Sequence, residues 1–219
     1  VLVANADLLG IVTAATDPEP RPRLIDRCLV AAYDGGLTPL LIVTKTDLAA
    51  PDDLVRTYSA LDVGALATRR DGEPDELLRA LTGHRTVLVG ASGVGKSTLV
   101  NALVPDAGRA VGHVNPVTGR GRHTSSSAIA LPLEGSGWVI DTPGVRSFGL
   151  AHVDVARVMA AFPDLDTGTR NCPRGCDHLN ESCQLDTWAL AGHASRERLD
   201  SLRRLLAARE AGEAGDETS

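Results

Sequence analysis

Three short strings and one cluster of thiols hold the residues whose types and spacing could do chemistry. Gly90 to Ser97 reads GASGVGKS, the spacing G-x-x-x-x-G-K-S. In such a loop the glycines let backbone N–H groups turn inward around a phosphate, the lysine reaches the outer phosphate oxygens and the serine hydroxyl ligates Mg²⁺. Gly90, Ser92, Gly93, Val94, Gly95, Lys96, Ser97 and Thr98 are therefore candidate phosphate contacts, with Ser97 on magnesium and Thr98 beside the α-phosphate. Thr44 to Asp47 reads TKTD. A carboxylate at Asp47 can accept both the N1–H and the exocyclic amine of guanine, a pattern adenine does not offer. The wrong base would leave it unpaired at a cost of roughly 1–3 kcal/mol or more. Lys45 would lie along the ring face. Thr44 lacks the amide by which an asparagine would reach guanine N7, so base preference leans on Asp47.

A third string, DTPG, runs from Asp141 to Gly144 behind the apolar run GWVI. Asp141 would then sit at a strand's carboxyl end and hold Mg²⁺ through water, while the Gly144 N–H meets the γ-phosphate. Between the phosphate loop and this string, Thr124 in GRGRHTSS lies where a mobile switch brings a hydroxyl to Mg²⁺ and the γ-phosphate. The residue after Gly144 is Val145, which cannot orient an attacking water, so slow intrinsic hydrolysis is expected. His123 is the nearest polar candidate for that task. It could equally touch a phosphate of a nucleic-acid partner, or nothing.

Cys172, Cys176, His178 and Cys183 are spaced C-x3-C-x-H-x4-C. Three thiolates and an imidazole complete a tetrahedral zinc shell with no open position, which implies one structural ion. The surrounding NCPRGCDHLNESCQL has little apolar content to build a core, and zinc could supply roughly 10–16 kcal/mol in its place. Cys28 stands apart in an apolar helical pattern and reads as a buried thiol.

The elements that must position these residues alternate. Apolar, β-branched runs at 1–4, 10–14, 39–43, 64–67, 85–90, 128–133 and 137–140 predict strands. Patterns at 23–33, 52–61, 74–81 and 96–103 predict helices, the first stopped by Gly35 and Gly36. Such alternation predicts a doubly wound α/β sheet. The order of the strings is rotated: the base-reading TKTD precedes the phosphate loop, and DTPG comes last. Joining the ends of a GTP-binding domain and reopening it between its base-reading and phosphate-reading halves gives this order. The expected fold is a circularly permuted P-loop NTPase over 1–150. After Gly149 the texture changes to a helix near 153–162, a Pro- and Cys-rich stretch, and a final helix capped by Ser195 with a stripe of Leu199, Leu202, Leu205 and Leu206. Residues 151–219 are expected to form a small helical zinc-binding domain with its own core and a disordered acidic tail.

With 43% hydrophobic residues but only two each of Trp, Tyr and Phe among 219, the core must be aliphatic, as in a parallel sheet buried on both faces. The net charge of −6 argues against diffuse nucleic-acid binding. No apolar run approaches the roughly 20 residues that span a bilayer. A cytoplasmic protein without membrane contact is expected, and a monomer. Val1 opens abruptly in strand-like sequence, so further chain is expected before it.

Taken together, the permuted order, GASGVGKST, GRGRHT, DTPGVRSFGL and the Cys3His spacing resemble the ribosome-small-subunit-dependent GTPase A family, RsgA or YjeQ. The resemblance implies a GTPase using GTP/GDP, Mg²⁺ and zinc. It would act late in maturation of the 30S subunit, contact its 16S rRNA, and be stimulated by the particle. It also implies an N-terminal OB-fold, expected to lie before Val1. The outer gaps of the metal spacing are each one residue shorter here than is usual in the family. Two rival classes fit parts of the pattern: a P-loop ATPase or small-molecule kinase, which would not need TKTD, and a nucleotide-regulated zinc-containing binding module in which hydrolysis is incidental.

Overall fold

A computed structural model describes residues 5–108, 128–143, 150, 153–180 and 182–216. Six strands form one sheet in the order β3-β2-β1-β4-β6-β5. They are β1 (Leu8–Ala14), β2 (Thr38–Thr44), β3 (Gly64–Ala67), β4 (Arg85–Val89), β5 (Ile129–Pro132) and β6 (Trp138–Asp141). All neighbouring pairs are parallel except β5 against β6. The six predicted runs within the described residues all become strands, and the run at 1–4 lies outside them.

The sheet's two faces follow from the pleat. Leu9, Ile11, Leu41, Val43, Val87 and Val89 join one buried cluster. Their alternates Val12, Ala14, Ile42 and Leu88 join the other. Both faces of the central strands are apolar because helices cover both, the arrangement that parallel strands require. On the second face lie α3 (Asp75–Leu81) and α4 (Lys96–Leu103), contributing Leu77, Leu81, Leu99, Val100 and Leu103. On the first lies α1 (Pro22–Asp34), which begins with Pro at its first turn. It stops where Gly36 adopts φ +65° and the Leu37 N–H returns to the Ala32 carbonyl at 2.8 Å. The short α2 (Asp52–Ser59) buries Tyr58 on the same side.

The C-terminal helices are α5 (Val155–Ala160), α6 (Pro163–Gly168), α7 (Leu185–Leu190) and α8 (Arg196–Asp216). Sequence texture suggested a core of their own. Instead Phe162, Leu165, Leu185, Leu199, Leu202, Leu205 and Leu206 belong to the same cluster as Leu9, Ile11, Leu29 and Val87. Polar contacts reinforce the junction. Arg204 of α8 pairs with the buried Asp26 of α1 at 3.1 Å, and Arg198 pairs with Asp62 and Asp164 at 2.7 Å while its guanidinium lies over the Phe162 ring.

Ser195 caps α8 as expected, its hydroxyl accepting from the Arg198 N–H at 3.1 Å. The helix continues through Asp216, well into the acidic stretch whose composition suggested disorder. Helices α6 and α7 were not legible, because PDLDTG and LDTWAL are too short for periodicity to emerge. Trp188 of α7 lies against Gly168 of α6, where a Cβ would come within 2.7 Å of the indole ring.

Candidate nucleotide site and metal centre

Every parallel strand ends on the same edge of the sheet, so the loops leaving those ends meet there. Register places Ile11 beside Val89, Ala14 beside Thr44 and Leu88 beside Asp141. GASGVGKS, TKTD and the aspartate of DTPG thus converge although they come from residues 44 to 141. Ligands of open α/β sheets bind at this carboxyl edge.

The phosphate loop runs from the end of β4 into the first turn of α4. Gly93 and Gly95 take φ +83° and +94°, conformations that turn successive amides to one side and that a side chain disfavours. Gly90 answers a different need. A Cβ there would stand 2.3 Å from the Val12 carbonyl oxygen of β1, so only glycine lets the loop leave the sheet this close to its neighbour. Lys96 is buried and donates to the loop's own Gly90 carbonyl at 2.9 Å, closing the turn from inside. Burial pushes its pKa down, and the negative charge of Asp141 opposes that shift. Asp141 is itself buried, and next to it the Thr142 hydroxyl donates to the Leu88 carbonyl at 2.7 Å, fastening this string to the phosphate-loop strand. Ser97 and Thr98 lie half-buried in the first turn of α4, and Ser92 is exposed at the loop's tip. Val94 is buried and packs beneath the loop.

Thr44 has a role that reading TKTD as a base contact missed. Its buried hydroxyl lies 2.5 Å from the Val94 carbonyl and 3.2 Å from that of Thr13. It ties β2 to the phosphate loop and is already engaged away from a base. Lys45 takes φ +58°, and its ammonium donates to the Asp17 carbonyl in the loop after β1. Asp47 is exposed at the site's rim. Thr46 fixes the floor between them: its hydroxyl donates to the Thr68 carbonyl at 3.1 Å, and the Thr68 N–H donates to Val43 at 2.7 Å. The end of β3 at Ala67 and Thr68 therefore flanks TKTD. His123, Thr124, Gly144 and Val145 lie outside the described residues.

The second constellation sits between α6 and α7. The ligand atoms of Cys172, Cys176, His178 and Cys183 all lie within 4.8 Å of one another. The Cys172 and Cys183 sulfurs are 3.8 Å apart, and each is 3.7 Å from His178 Nδ1. Bonds of about 2.3 Å to sulfur and 2.0–2.1 Å to nitrogen in a tetrahedron require separations of roughly 3.5–3.8 Å, so the four residues fit one zinc ion. Two left-handed residues, Gly175 at φ +77° and His178 at φ +64°, curl the chain around the centre, and the His178 N–H donates to the Cys176 sulfur at 3.4 Å. The shorter outer gaps of the spacing do not pull the set apart.

The family model described as RsgA GTPase matches residues 1–151. The chain belongs to that family. Among curated relatives, the small ribosomal subunit biogenesis GTPase RsgA of Azotobacter vinelandii is 41% identical over 216 residues, covering 94% of this chain and 63% of that protein. The RsgA of Pseudomonas putida is 41% identical over 219 residues with the same coverage. This chain thus spans 63% of the length of these relatives. Among solved structures, YjeQ from Thermotoga maritima superposes with a TM-score of 0.66 at 25% identity, over 95% of this chain and 73% of that one. YloQ, described as a circularly permuted GTPase, gives 0.64 at 24% identity, over 94% and 69%. The permuted fold expected from the order of the strings is the fold these structures share.

Proposed function

We propose that this chain is the GTP-hydrolysing part of a small-subunit ribosome biogenesis factor that acts late in maturation of the 30S particle. The observation that carries the reading is the convergence of Lys96, Asp141 and the TKTD turn at one edge of the sheet, in a family whose curated members are named for small ribosomal subunit biogenesis. Residues 1–150 handle the nucleotide, and residues 151–219 form the metal-bound helical part. Gly90, Ser92, Gly93, Val94 and Gly95 frame the phosphates with their amides. Lys96 exchanges its bond to the Gly90 carbonyl for phosphate oxygens, and Thr98 supports the α-phosphate.

Asp47 reads guanine with Lys45 along the ring, and Thr44 positions the phosphate loop. Ser97, Thr124 and Asp141 hold Mg²⁺, directly or through water, and the Gly144 N–H meets the γ-phosphate. His123 is the candidate to orient water in place of the apolar Val145. Magnesium, when bound, neutralises charge developing on the phosphates. Turnover is slow alone and stimulated by the 30S subunit and its 16S rRNA, and the protein works in the cytoplasm as a monomer. No helix among the described residues is long and apolar enough to cross a membrane. Membership of this family disfavours the kinase alternative.

Hydrolysis of GTP and of ATP, each with and without purified 30S subunits, tests the proposal on wild type and Lys96→Ala. GTP-selective turnover that rises with 30S and disappears in the variant is expected. Equal turnover of both nucleotides, or an active Lys96→Ala, would overturn it.

A further inference from the structure

We propose that Arg203 is a positioning residue for the metal centre, holding the His178 turn in place and setting a positive charge against the thiolates, so that metal affinity depends on it. The inference rests on the Cys3His cluster binding zinc.

The argument begins with charge. Three thiolates outweigh one divalent cation, so a loaded Cys3His centre carries an excess negative charge in a part-buried setting, where water screens it poorly. A fixed cation nearby would stabilise the loaded form. Arg203 supplies one from α8. Its Nε donates to the His178 carbonyl at 3.0 Å, and its guanidinium also interacts with the Cys183 thiol. One end of the fork therefore holds the backbone of the imidazole ligand while its charge faces a sulfur ligand.

The other end is clamped. Nη1 and Nη2 of Arg203 bind the two oxygens of Asp186 at 3.0 and 2.6 Å, and Arg196 binds Asp186 from the far side at 2.8 Å. Asp186 lies in the first turn of α7, just beyond Cys183. The Arg203 side chain is only 18% exposed, and its neighbours Leu202 and Leu205 are fully buried, so the helix cannot easily carry it away. Asp177, the acidic residue beside His178, is occupied by the Leu179 N–H and the Asn180 amide. It competes little for the guanidinium. A planar fork satisfies the carbonyl and both carboxylate oxygens at once, which an ammonium cannot do.

Partners that orient ligands in this way are worth about 10- to 100-fold in metal affinity. The experiment is competition of the full chain against a chromophoric chelator for zinc. Wild type, Arg203→Gln, Arg203→Lys, Asp186→Asn and Arg196→Gln are compared, with circular dichroism recorded on each. Wild type should hold one zinc, and failure to do so would sink the cluster reading itself. Given that one zinc, Arg203→Gln should weaken binding by about 10- to 100-fold.

Arg203→Lys should fall between the two, since it keeps the charge and loses the fork. Asp186→Asn, which leaves the guanidinium present but loosens it, should weaken binding less than Arg203→Gln. Arg196→Gln, which does not touch the centre, should stay near wild type. Equal affinity in Arg203→Lys and Arg203→Gln would reduce Arg203 to a packing role. Wild-type affinity in both Arg203→Gln and Asp186→Asn would overturn the proposal outright.

Discussion

Leu202→Ala tests whether the C-terminal helices and the six-stranded sheet stand or fall together. Leu202 is fully buried on α8, and its cluster includes Leu199, Leu205 and Leu206 of the same helix along with Leu9 and Ile11 of β1, Leu29 of α1 and Val87 of β4. Truncating a buried leucine to alanine costs about 2–5 kcal/mol, and more when the surroundings cannot close over the cavity. Here the surroundings come from a sheet, α1 and the short C-terminal helices, which are held in place by Arg204 on Asp26 and Arg198 on Asp62 and Asp164. A value of about 3 kcal/mol is the working figure, equivalent to about two orders of magnitude in the opening equilibrium.

Native-state hydrogen exchange reads this segment by segment. With one shared core, amides in β1, β4 and α8 should all lose about a hundredfold protection together. Wild-type protection in β1 and β4 with loss confined to α8 would refute the shared core and restore two independent units. The same sharing predicts that stripping the metal lowers the stability of the whole chain, rather than melting 151–219 and leaving the sheet untouched.

Gly90→Ala should destabilise the protein by about 1–3 kcal/mol in urea denaturation and weaken nucleotide binding, because the added methyl meets the Val12 carbonyl at 2.3 Å and neither backbone can yield without parting β1 from β4. Gly64→Ala, whose Cβ meets only Leu40 at 3.4 Å, is the control; equal effects at the two positions would refute the close-approach explanation. Asp26→Asn should change the pH dependence of stability. Burial raises the Asp26 carboxyl pKa against the lowering influence of Arg204, so the native state holds this proton more tightly than the unfolded chain. Stability from this group is therefore fully present below the ordinary carboxyl range and is lost as pH rises through the raised value. The stability of wild type relative to the variant should fall across that rise, and a relative stability independent of pH would contradict it.

Legibility in the sequence followed the range over which each physical cause acts. The shape of the GASGVGKS loop was readable because its demands are local: glycines at 93 and 95 where φ is positive, a lysine and a serine opening a helix. The central strands were readable because burial on both faces leaves continuous aliphatic runs. The Cys3His set was readable because four soft ligands within a dozen residues have few other uses. The role of Thr44 was hidden, since the carbonyl its hydroxyl meets belongs to Val94, fifty residues away, and nothing in TKTD announces that partner. Arg203 was hidden for the same reason: in RLDSLRRLLAARE it is one of several arginines on an amphipathic helix, and only the fold brings it to His178. The shared core was misread because a change in composition after Gly149 marks a change of secondary structure. It does not show which face the leucine stripe of α8 covers.

That misreading bears on why a rotated order of strings can still build one pocket. A parallel sheet is held by neighbour pairing and by the layers on its faces, and neither depends on which strand comes first in the chain. Residues 44, 90 and 141 meet because β2, β1, β4 and β6 lie side by side with their carboxyl ends aligned. What the order does decide is what each string is joined to. Here DTPG is the last of the three, and the chain beyond it leads to Leu150, buried in the cluster with α1, and on to α5, where the Asp154 N–H donates to Asp34 at the end of α1. On the near side of 144–149 Thr142 is fastened to Leu88 of β4, and on the far side Leu150 is buried in the layer that carries α8. The C-terminal helices are thus both the cover of one face of the sheet and the anchor of the chain beyond DTPG.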